Sequence, residues 1–286
     1  MRDFQQPGRS AVHAANAMCA TSHPLATATA IEVLKSGGNA VDAALAGAVL
    51  LGLCEPAMTG LGGDMFALVH PAPGAEVVAL NASGRAPAGI DAEALRAAGH
   101  SRVPQTGPAA VTMPGAVDGI CALSERFGRL GLDSVLAPAI RYAEEGVPVA
   151  PRVAFDWAHE SGGLTGAARD FYLMNGRPPG VGEVFRAPGQ AEVLRRVAAT
   201  GRDAFYTGEI AEDMVAALGP DAPHTVADFA AQRSEWGAPI SGTYGDLEIL
   251  EHPPNGQGAA ALLLLDILAQ FDLAAMDPLG AERAHI

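Results

Sequence analysis

Cysteine is scarce in this sequence, and the pattern of the three cysteines argues against two common kinds of scaffold. Cys19, Cys54 and Cys121 are odd in number, widely spaced and surrounded by apolar residues. Such a pattern is typical of buried, reduced thiols rather than of a disulfide framework or a zinc site. There is no C-x-x-C pair, and the eight histidines show no ligand-like spacing. We therefore expect neither a bound metal nor another cofactor.

Positive charge is also scarce. The chain has 18 Lys and Arg against 32 Asp and Glu, a net charge of −14, and its single lysine is Lys35. An acidic surface of this kind argues against nucleic acid or an anionic membrane as a partner. The longest apolar stretch, about 15 residues with Asp42 inside it, is too short and too charged to span a bilayer. The first ten residues, MRDFQQPGRS, contain no apolar run of a signal peptide, which predicts a cytoplasmic protein.

Recognisable catalytic motifs are absent as well. The sequence has no G-x-S-x-G nucleophile elbow, and it opens with Met1 rather than with a Thr, Ser or Cys whose own amine could act as a base. Acidic pairs such as Glu144-Glu145 are typical of solvated helix faces. We therefore predict no catalytic residue in this chain, and no activity from it alone.

A central helix is the clearest structural signal that is present. Asn39 is a suitable N-cap, and Asp42 lies at the third helical position, where a carboxylate can accept from free backbone N–H groups. Residues 40–53 are almost all apolar and many are small, which indicates a buried helix with close neighbours. Glu55-Pro56 ends this helix, because the residue before proline disfavours the helical conformation.

A glycine-rich segment, Gly60-Leu61-Gly62-Gly63, follows the central helix. These glycines are expected to free the backbone to turn into a buried strand at residues 65–69. Phosphate-binding loops have the opposite order, strand then glycines then helix, so that the anion meets a helix N-terminus. We therefore interpret the segment as a hinge, and a nucleotide-dependent enzyme is disfavoured.

Periodicity and turn residues predict the remaining elements of a mixed α and β chain. Strands are predicted at 11–22, 76–81 and, as a hairpin, 240–250; the strand at 76–81 pairs with the strand at 65–69. Helices are predicted at 24–35, 91–98, 115–127, 133–145, 189–199, 208–218, 228–232 and 259–271, with a further helix starting at Asp277-Pro278. The expected division is a core of residues 1–149 and 189–286 and a helical arm with loops at about 150–188.

Several motifs occur in the same order as in a known family. They are GGNAVDAA followed by P-x-x-T-G-L-G-G, then SGRAP (83–87), MPG (113–115), FYTGEIAEDM (205–214), W-x-x-PISGTYGD (236–246) and HPPNGQG (252–258). Together they resemble the large-subunit signature of the γ-glutamyltranspeptidase family. The resemblance implies an α+β fold, the four-layer αββα sandwich of the N-terminal-nucleophile hydrolases. This chain, 1–286, would be an incomplete large subunit of it.

The same resemblance implies how such an enzyme matures. The precursor is a zymogen that cleaves itself, and a threonine becomes the first residue of a small subunit, giving a heterodimer. The nucleophile would thus lie outside this chain, on a partner polypeptide. A large subunit alone is expected to expose sheet edges and apolar surface.

SGRAP carries the candidate binding residues, Ser83 and Arg85. The comparable motif of enzymes acting on γ-glutamyl compounds, including those of glutathione metabolism, reads R-E-x-A-P, and its arginine binds the substrate's α-carboxylate. Aligned on Ala86-Pro87, Ser83 takes that arginine's place and Arg85 follows two residues later, on the same face if the strand extends so far. SGRAP is similar to the branch that includes oxamate amidohydrolase. Alternatively, Arg85 is a loop arginine in a salt bridge.

Two classes of function remain at the level of sequence. One is the large-subunit portion of an amidohydrolase or transferase acting on a small acidic amide, oxamate-like or γ-glutamyl. The other is a non-catalytic scaffold or binding protein that retains the fold. The HPPNGQG loop, with Asn255 and Gln257, either positions the pocket or is a plain entry to the following helix.

Overall fold

The computed structural model describes residues 10–286, which form two compact units. The first comprises the described part of Met1–Gly60 together with Gly128–Ala199, and the second comprises Leu61–Phe127 with Thr200–Ile286. Within residues 10–286, no helix is long and apolar enough to cross a membrane. The N-terminal segment from which a cytoplasmic location was predicted lies, apart from Ser10, outside the described residues. That location stays a prediction.

The regular elements are numbered along the chain. The helices are α1 (Pro24–Lys35), α2 (Ala40–Cys54), α3 (Ala92–Ala97), α4 (Ala116–Phe127), α5 (Leu132–Glu145), α6 (Pro151–Glu160), α7 (Gly166–Tyr172), α8 (Pro188–Thr200), α9 (Asp203–Tyr206), α10 (Glu209–Leu218), α11 (Val226–Ala231), α12 (Gly258–Leu268) and α13 (Ala281–His285). The strands are β1 (Met65–Val69), β2 (Val78–Ala82), β3 (Val147–Pro148), β4 (Val184–Phe185), β5 (Glu235–Gly237), β6 (Ile240–Tyr244) and β7 (Leu247–Glu251).

The core of the first unit is built on α2, which begins and ends where the sequence predicts to within one residue. The Asn39 side chain accepts the N–H of Asp42 at 3.0 Å, and the Asp42 carboxylate accepts the N–H of Asn39 at 2.8 Å, a complete capping box. The fully buried carboxylate also accepts the N–H groups of Arg129 and Leu130 at 3.1 and 3.2 Å. This one side chain therefore fixes both the start of α2 and the loop before α5.

Small residues set the distance between α1 and α2. Ala26 and Ala30 of α1 are fully buried, and a Cβ added to Gly47 of α2 would lie 3.5 Å from the Ala26 carbonyl oxygen. The two helices approach closely because neither carries a bulky side chain at this contact. The three cysteines are free thiols, as predicted, but only Cys54, at the end of α2, is buried, whereas Cys19 and Cys121 are half-buried.

The glycine segment after α2 differs from its predicted role. Gly60 and Gly62 do not adopt the left-handed conformation that only glycine tolerates well. A Cβ added to Gly60 or Gly62 would meet no atom within 4 Å, whereas one added to Gly52 of α2 would lie 3.2 Å from the Cα of Gly60, so the close approach requires a small residue at Gly52. The segment lets the backbone return across the end of α2 before the chain enters β1.

The second unit contains an antiparallel sheet in the order β1-β2-β5. Helix α4 covers one face of it, and a Cβ on Gly119 would lie 2.7 Å from the Cβ of Ala82. Strand β1 is half-buried rather than buried, because Phe66 and Leu68, on the face away from Met65 and Ala67, remain partly exposed. The strand β5 and the short helix α9 were not predicted from the sequence.

Two predicted elements are absent from the structure. Residues 11–22 form no strand and are mostly exposed. Five of its twelve residues are alanine, and Val12 and Thr21 are its β-branched residues, so its strand propensity is low. No helix begins at Pro278, because Asp277 closes a turn by accepting the N–H of Leu279 at 3.0 Å. Helix α13 begins three residues later, at Ala281.

The segment predicted to be a helical arm contains α6 and α7. Trp157 of α6 is buried, and the rings of Tyr172 and Phe185 contact it with centroid distances of 6.1 and 4.9 Å. Strand β3 pairs with β4 through Val147 and Phe185, which joins the two ends of the segment. The division of the chain into a core and an arm stays a prediction.

Candidate functional site

A row of three residues crosses the sheet of the second unit at the end of β2. Phe66 of β1 is opposite Asn81 of β2, and Asn81 is opposite Glu235 of β5. Directly opposed residues of an antiparallel sheet share a face, so the three side chains project to the same side. Helix α4 covers the other side, where Ala82 contacts Gly119. The row therefore forms the floor of an open, largely polar surface.

The segment Ser83–Arg85 leaves the sheet beside this row. Strand β2 ends at Ala82, so the strand does not extend to Arg85 as the common-face prediction required. The Gln232 side chain holds the segment instead: its Oε1 accepts the Arg85 N–H at 3.1 Å, and its Nε2 donates to the Ser83 carbonyl at 3.0 Å. Gln232 is 1% exposed, and both the oxygen and the nitrogen of its side-chain amide bind backbone groups.

Gly84, between the two candidate residues, is enclosed by backbone. Its N–H donates to the Asp64 carboxylate at 2.8 Å. A Cβ at this position would lie 1.6 Å from the carbonyl oxygen of Met113. The Met113 N–H in turn donates to the Arg85 carbonyl at 2.9 Å. The path of the chain between Ser83 and Arg85 is thus fixed from both sides.

The loop before α12 reaches the same surface through Asn255. Its Oδ1 accepts from Asn81 Nδ2 at 2.9 Å, and its Nδ2 donates to Ser83 Oγ at 3.0 Å. Because Ser83 Oγ accepts this bond, its own hydroxyl proton remains available to donate to a ligand. His252, from the same loop, packs its ring edge-on to Phe66 at 5.0 Å. The loop is therefore part of the site, whereas Gln257 makes no side-chain hydrogen bond that caps α12.

Arg85 lies at the rim of this surface and forms an ion pair with Glu235. Each of the two side chains is 65% exposed. The salt bridge that we considered as an alternative role for Arg85 is thus present. An exposed pair of this kind is weak and can be opened by a competing carboxylate, so its presence does not remove Arg85 as a binding residue.

A buried ion pair supports the segment that carries Gln232 and Glu235. Arg202 Nε donates to Asp118 Oδ1 at 2.5 Å, and Arg202 Nη2 donates to the Gln232 carbonyl at 2.5 Å. The other Asp118 oxygen accepts the N–H of Ser234 at 2.6 Å.

Burial, followed by the nearby Asp118 charge, raises the pKa of the Cys121 thiol to about 12, so this cysteine is an unreactive thiol here.

No metal site is evident in the part of the chain that the structure describes: residues 10–286 contain no group of three or more His, Cys, Asp or Glu side chains that could hold an ion. What the surface offers is a guanidinium, a serine hydroxyl and two asparagine amides. Such a set suits a small ligand that carries a carboxylate and a carbonyl group.

Comparison with known proteins shows to which family the chain belongs. The family profile described as gamma-glutamyltranspeptidase matches residues 26–286. The chain belongs to the gamma-glutamyltranspeptidase family. The resemblance stated from the motifs is therefore confirmed.

Curated relatives of this family member include enzymes with different named substrates. It is 36% identical over 276 residues to the glutathione hydrolase-like YwrD proenzyme of Bacillus subtilis, covering 94% of this chain and 52% of that protein. It is 35% identical over 279 residues to the oxamate amidohydrolase proenzyme of Klebsiella pneumoniae, with 94% and 52% covered. The chain thus spans about half the length of these relatives.

Solved structures of the family confirm the predicted fold class. Cephalosporin acylase from Bacillus halodurans is similar with a TM-score of 0.88 and 39% identity, covering 99% of this chain and 54% of that one. Helicobacter pylori gamma-glutamyltranspeptidase is similar with a TM-score of 0.85 and 26% identity, covering 96% and 81%. The chain therefore has the fold of the N-terminal-nucleophile hydrolases of this family.

Sequence reasoning nominated Ser83 and Arg85, and the structure brings both to one surface with Asn255. It missed Gln232, Asp64 and Asn81, which hold the segment between the two candidates. No spacing pattern marks these residues, since each acts on backbone groups that only the fold brings near. The roles of Ser83 and Arg85 in binding remain proposals.

Proposed function

We propose that this chain is the large-subunit portion of a self-cleaving amidohydrolase of the gamma-glutamyltranspeptidase family. A threonine on a second polypeptide would attack the amide carbonyl, with its own α-amine taking the proton and backbone N–H groups holding the oxyanion. The relatives' names support this maturation, since glutathione hydrolase-like YwrD and oxamate amidohydrolase are both named as proenzymes. The non-catalytic scaffold is the less favoured alternative.

The exposed apolar surface of the second unit is consistent with a partner polypeptide. Phe66 and Leu68 on the edge strand β1 are 41% and 40% exposed. Helix α12 packs Leu262 against Gly242 of β6, yet Leu263 and Ile267 on the same helix are 64% and 59% exposed. Exposed apolar patches beside an open strand edge are typical of surfaces that another chain covers. We propose the small subunit as that chain.

The single observation that carries the substrate proposal is that Ser83 and Arg85 lie on one accessible surface, linked through Asn255, Asn81 and Glu235. The guanidinium of Arg85 suits a carboxylate, and the Ser83 hydroxyl, oriented by Asn255, can donate to a second oxygen. Both groups would then bind oxygen atoms of the same short acid, which favours an oxamate-like amide as the substrate. A γ-glutamyl amide is the second candidate, because the chain is as similar to a glutathione hydrolase-like protein as to oxamate amidohydrolase.

The test is Arg85→Ala in the complete, self-cleaved enzyme. We expect the KM for the acidic amide to rise about tenfold or more, as for the loss of a charge-assisted contact of about 1.5–3 kcal/mol. Self-cleavage should continue, because it needs no carboxylate contact. Arg96→Ala is the matched control, since Arg96 is equally exposed and pairs with Glu93 in the same unit. An Arg85→Ala enzyme with parental KM would show that Arg85 is a structural loop residue.

A further inference from the structure

The carboxylate of Glu235 occupies the end of Arg85 at which a substrate carboxylate would bind. Arg85 Nη2 donates to Glu235 Oε1, so a guanidinium nitrogen that could take part in a paired contact is already used. A planar guanidinium binds a carboxylate best through two parallel N–H groups. An incoming acid must therefore either displace Glu235 or accept a less favourable position on the guanidinium.

This pairing is imposed by the backbone. Gln232 and Glu235 lie three residues apart: the first binds the backbone of Arg85, and the second binds its side chain. Glu235 is also in register with Asn81 on β2, which fixes its Cα relative to the end of that strand. The buried contacts of Arg202 and Asp118 with Gln232 and Ser234 hold the same segment. Buried contacts thus hold the backbone of this segment in place, while the charged ends of the Arg85 and Glu235 side chains remain exposed to solvent.

The ion pair between Arg85 and Glu235 is weak enough for a ligand to compete with it. Exposed ion pairs change an equilibrium constant by no more than about fivefold, because water screens the charges and two long side chains lose freedom. A substrate carboxylate with a second hydrogen bond, such as one from Ser83, can therefore displace Glu235.

We propose that Glu235 is a specificity-determining residue that competes with the substrate's carboxylate for Arg85. This inference rests on the proposed role of Arg85 in binding an acidic amide. In the resting enzyme Glu235 neutralises the guanidinium, and an acidic substrate makes a paired contact with Arg85 only by taking the place of Glu235. A neutral amide does not compete with Glu235 for Arg85. Glu235 therefore reduces the difference in KM between acidic and neutral amides that Arg85 produces.

The experiment is Glu235→Gln in the complete, self-cleaved enzyme, which removes the charge and keeps the shape of the side chain. KM and kcat are measured for an acidic amide, oxamate or a γ-glutamyl amide, whichever the parent hydrolyses, and for the same compound with its free carboxylate converted to an amide. We expect the KM for the acid to fall about two- to fivefold with kcat unchanged, and both constants for the neutral compound to stay at parental values.

Arg85→Ala and the double variant complete the design. Because Glu235 is proposed to act through Arg85, Glu235→Gln should change nothing when Arg85 is already alanine. If Arg85→Ala raises the KM for the acid but Glu235→Gln leaves it unchanged or raises it, Glu235 only orients Arg85 and this inference is wrong. If neither variant alters the ratio of acid to neutral KM, or the parent hydrolyses neither acid, the proposed function itself fails. Glu235→Ala, judged by the same ratio, serves if the glutamine variant does not mature.

Discussion

Replacing Gly84 by alanine tests whether the path of the chain between Ser83 and Arg85 is as tightly fixed as the structure indicates. The added Cβ would lie 1.6 Å from the carbonyl oxygen of Met113 and 2.8 Å from its carbonyl carbon. Both contacts are with backbone, so no side-chain rotation relieves them. The two segments must separate by about 1.4 Å before the shorter contact reaches even 3.0 Å.

Such a separation would break the hydrogen bond that joins the two segments. The bond from the Met113 N–H to the Arg85 carbonyl is 2.9 Å long and would stretch beyond hydrogen-bonding range. Overpacking costs about 1–3 kcal/mol, and a buried polar group left without a partner costs about 1–3 kcal/mol more. We therefore expect Gly84→Ala to lower the free energy of unfolding by about 3 kcal/mol or more, a large part of the roughly 5–15 kcal/mol typical of a domain.

Gly62→Ala is the matched control. A Cβ there meets no atom within 4 Å, and the residue does not have a positive φ, so the expected change is within about 0.5 kcal/mol of zero. Urea unfolding of both variants is followed by tryptophan fluorescence, to which Trp236 on β5 contributes from the same unit as Gly84, and the midpoint for Gly84→Ala should fall by about 1 M or more. Equal midpoints for the two variants would refute the reasoning.

Two further predictions concern the first unit. Asp42→Ala should destabilise it by about 3 kcal/mol or more, because three backbone N–H groups lose their buried acceptor. Asn39→Ala removes only the helix cap and should cost about 1 kcal/mol. Equal urea midpoints for the two variants would contradict this prediction. The Arg177 guanidinium and the Gly180 N–H lower the pKa of Glu183 to about 2, so the pair stabilises the folded state above the ordinary glutamate pKa and loses this effect as pH falls toward 2. Glu183→Gln should therefore lower the thermal midpoint at pH 6 and have no effect near pH 2, and a difference independent of pH would argue against the ion pair.

Local sequence signals predicted those elements whose cause lies within a few residues. The capping pair of Asn39 and Asp42 predicted the start of α2, and Gly245, with a positive φ of 61°, lies in the predicted turn between β6 and β7. The apolar helix after the HPPNGQG loop was predicted for the same reason. In each case the residues that determine the structure are neighbours in the chain.

Elements that depend on distant partners could not be predicted in this way. Strand β5 has three residues, and only its pairing with β2 makes Glu235–Gly237 a strand. The same pairing puts Glu235 beside Arg85, 150 residues earlier in the chain. Gln232 is a lone amide without a motif, and its role follows from burial against two backbone groups. The sequence thus nominated Ser83 and Arg85 as candidates, but it gave no sign of the residues that hold their backbone.

The contacts of Gln232 determine which changes of side chain the segment Ser83–Arg85 can accept. Gln232 binds the carbonyl of Ser83 and the N–H of Arg85, which every residue type other than proline provides. Side chains at positions 83 and 85 can therefore be exchanged while the loop keeps its path. Substitutions at these two positions can therefore change which polar groups the segment presents to solvent without a loss of folding. Gln232 itself, in contrast, should tolerate little change.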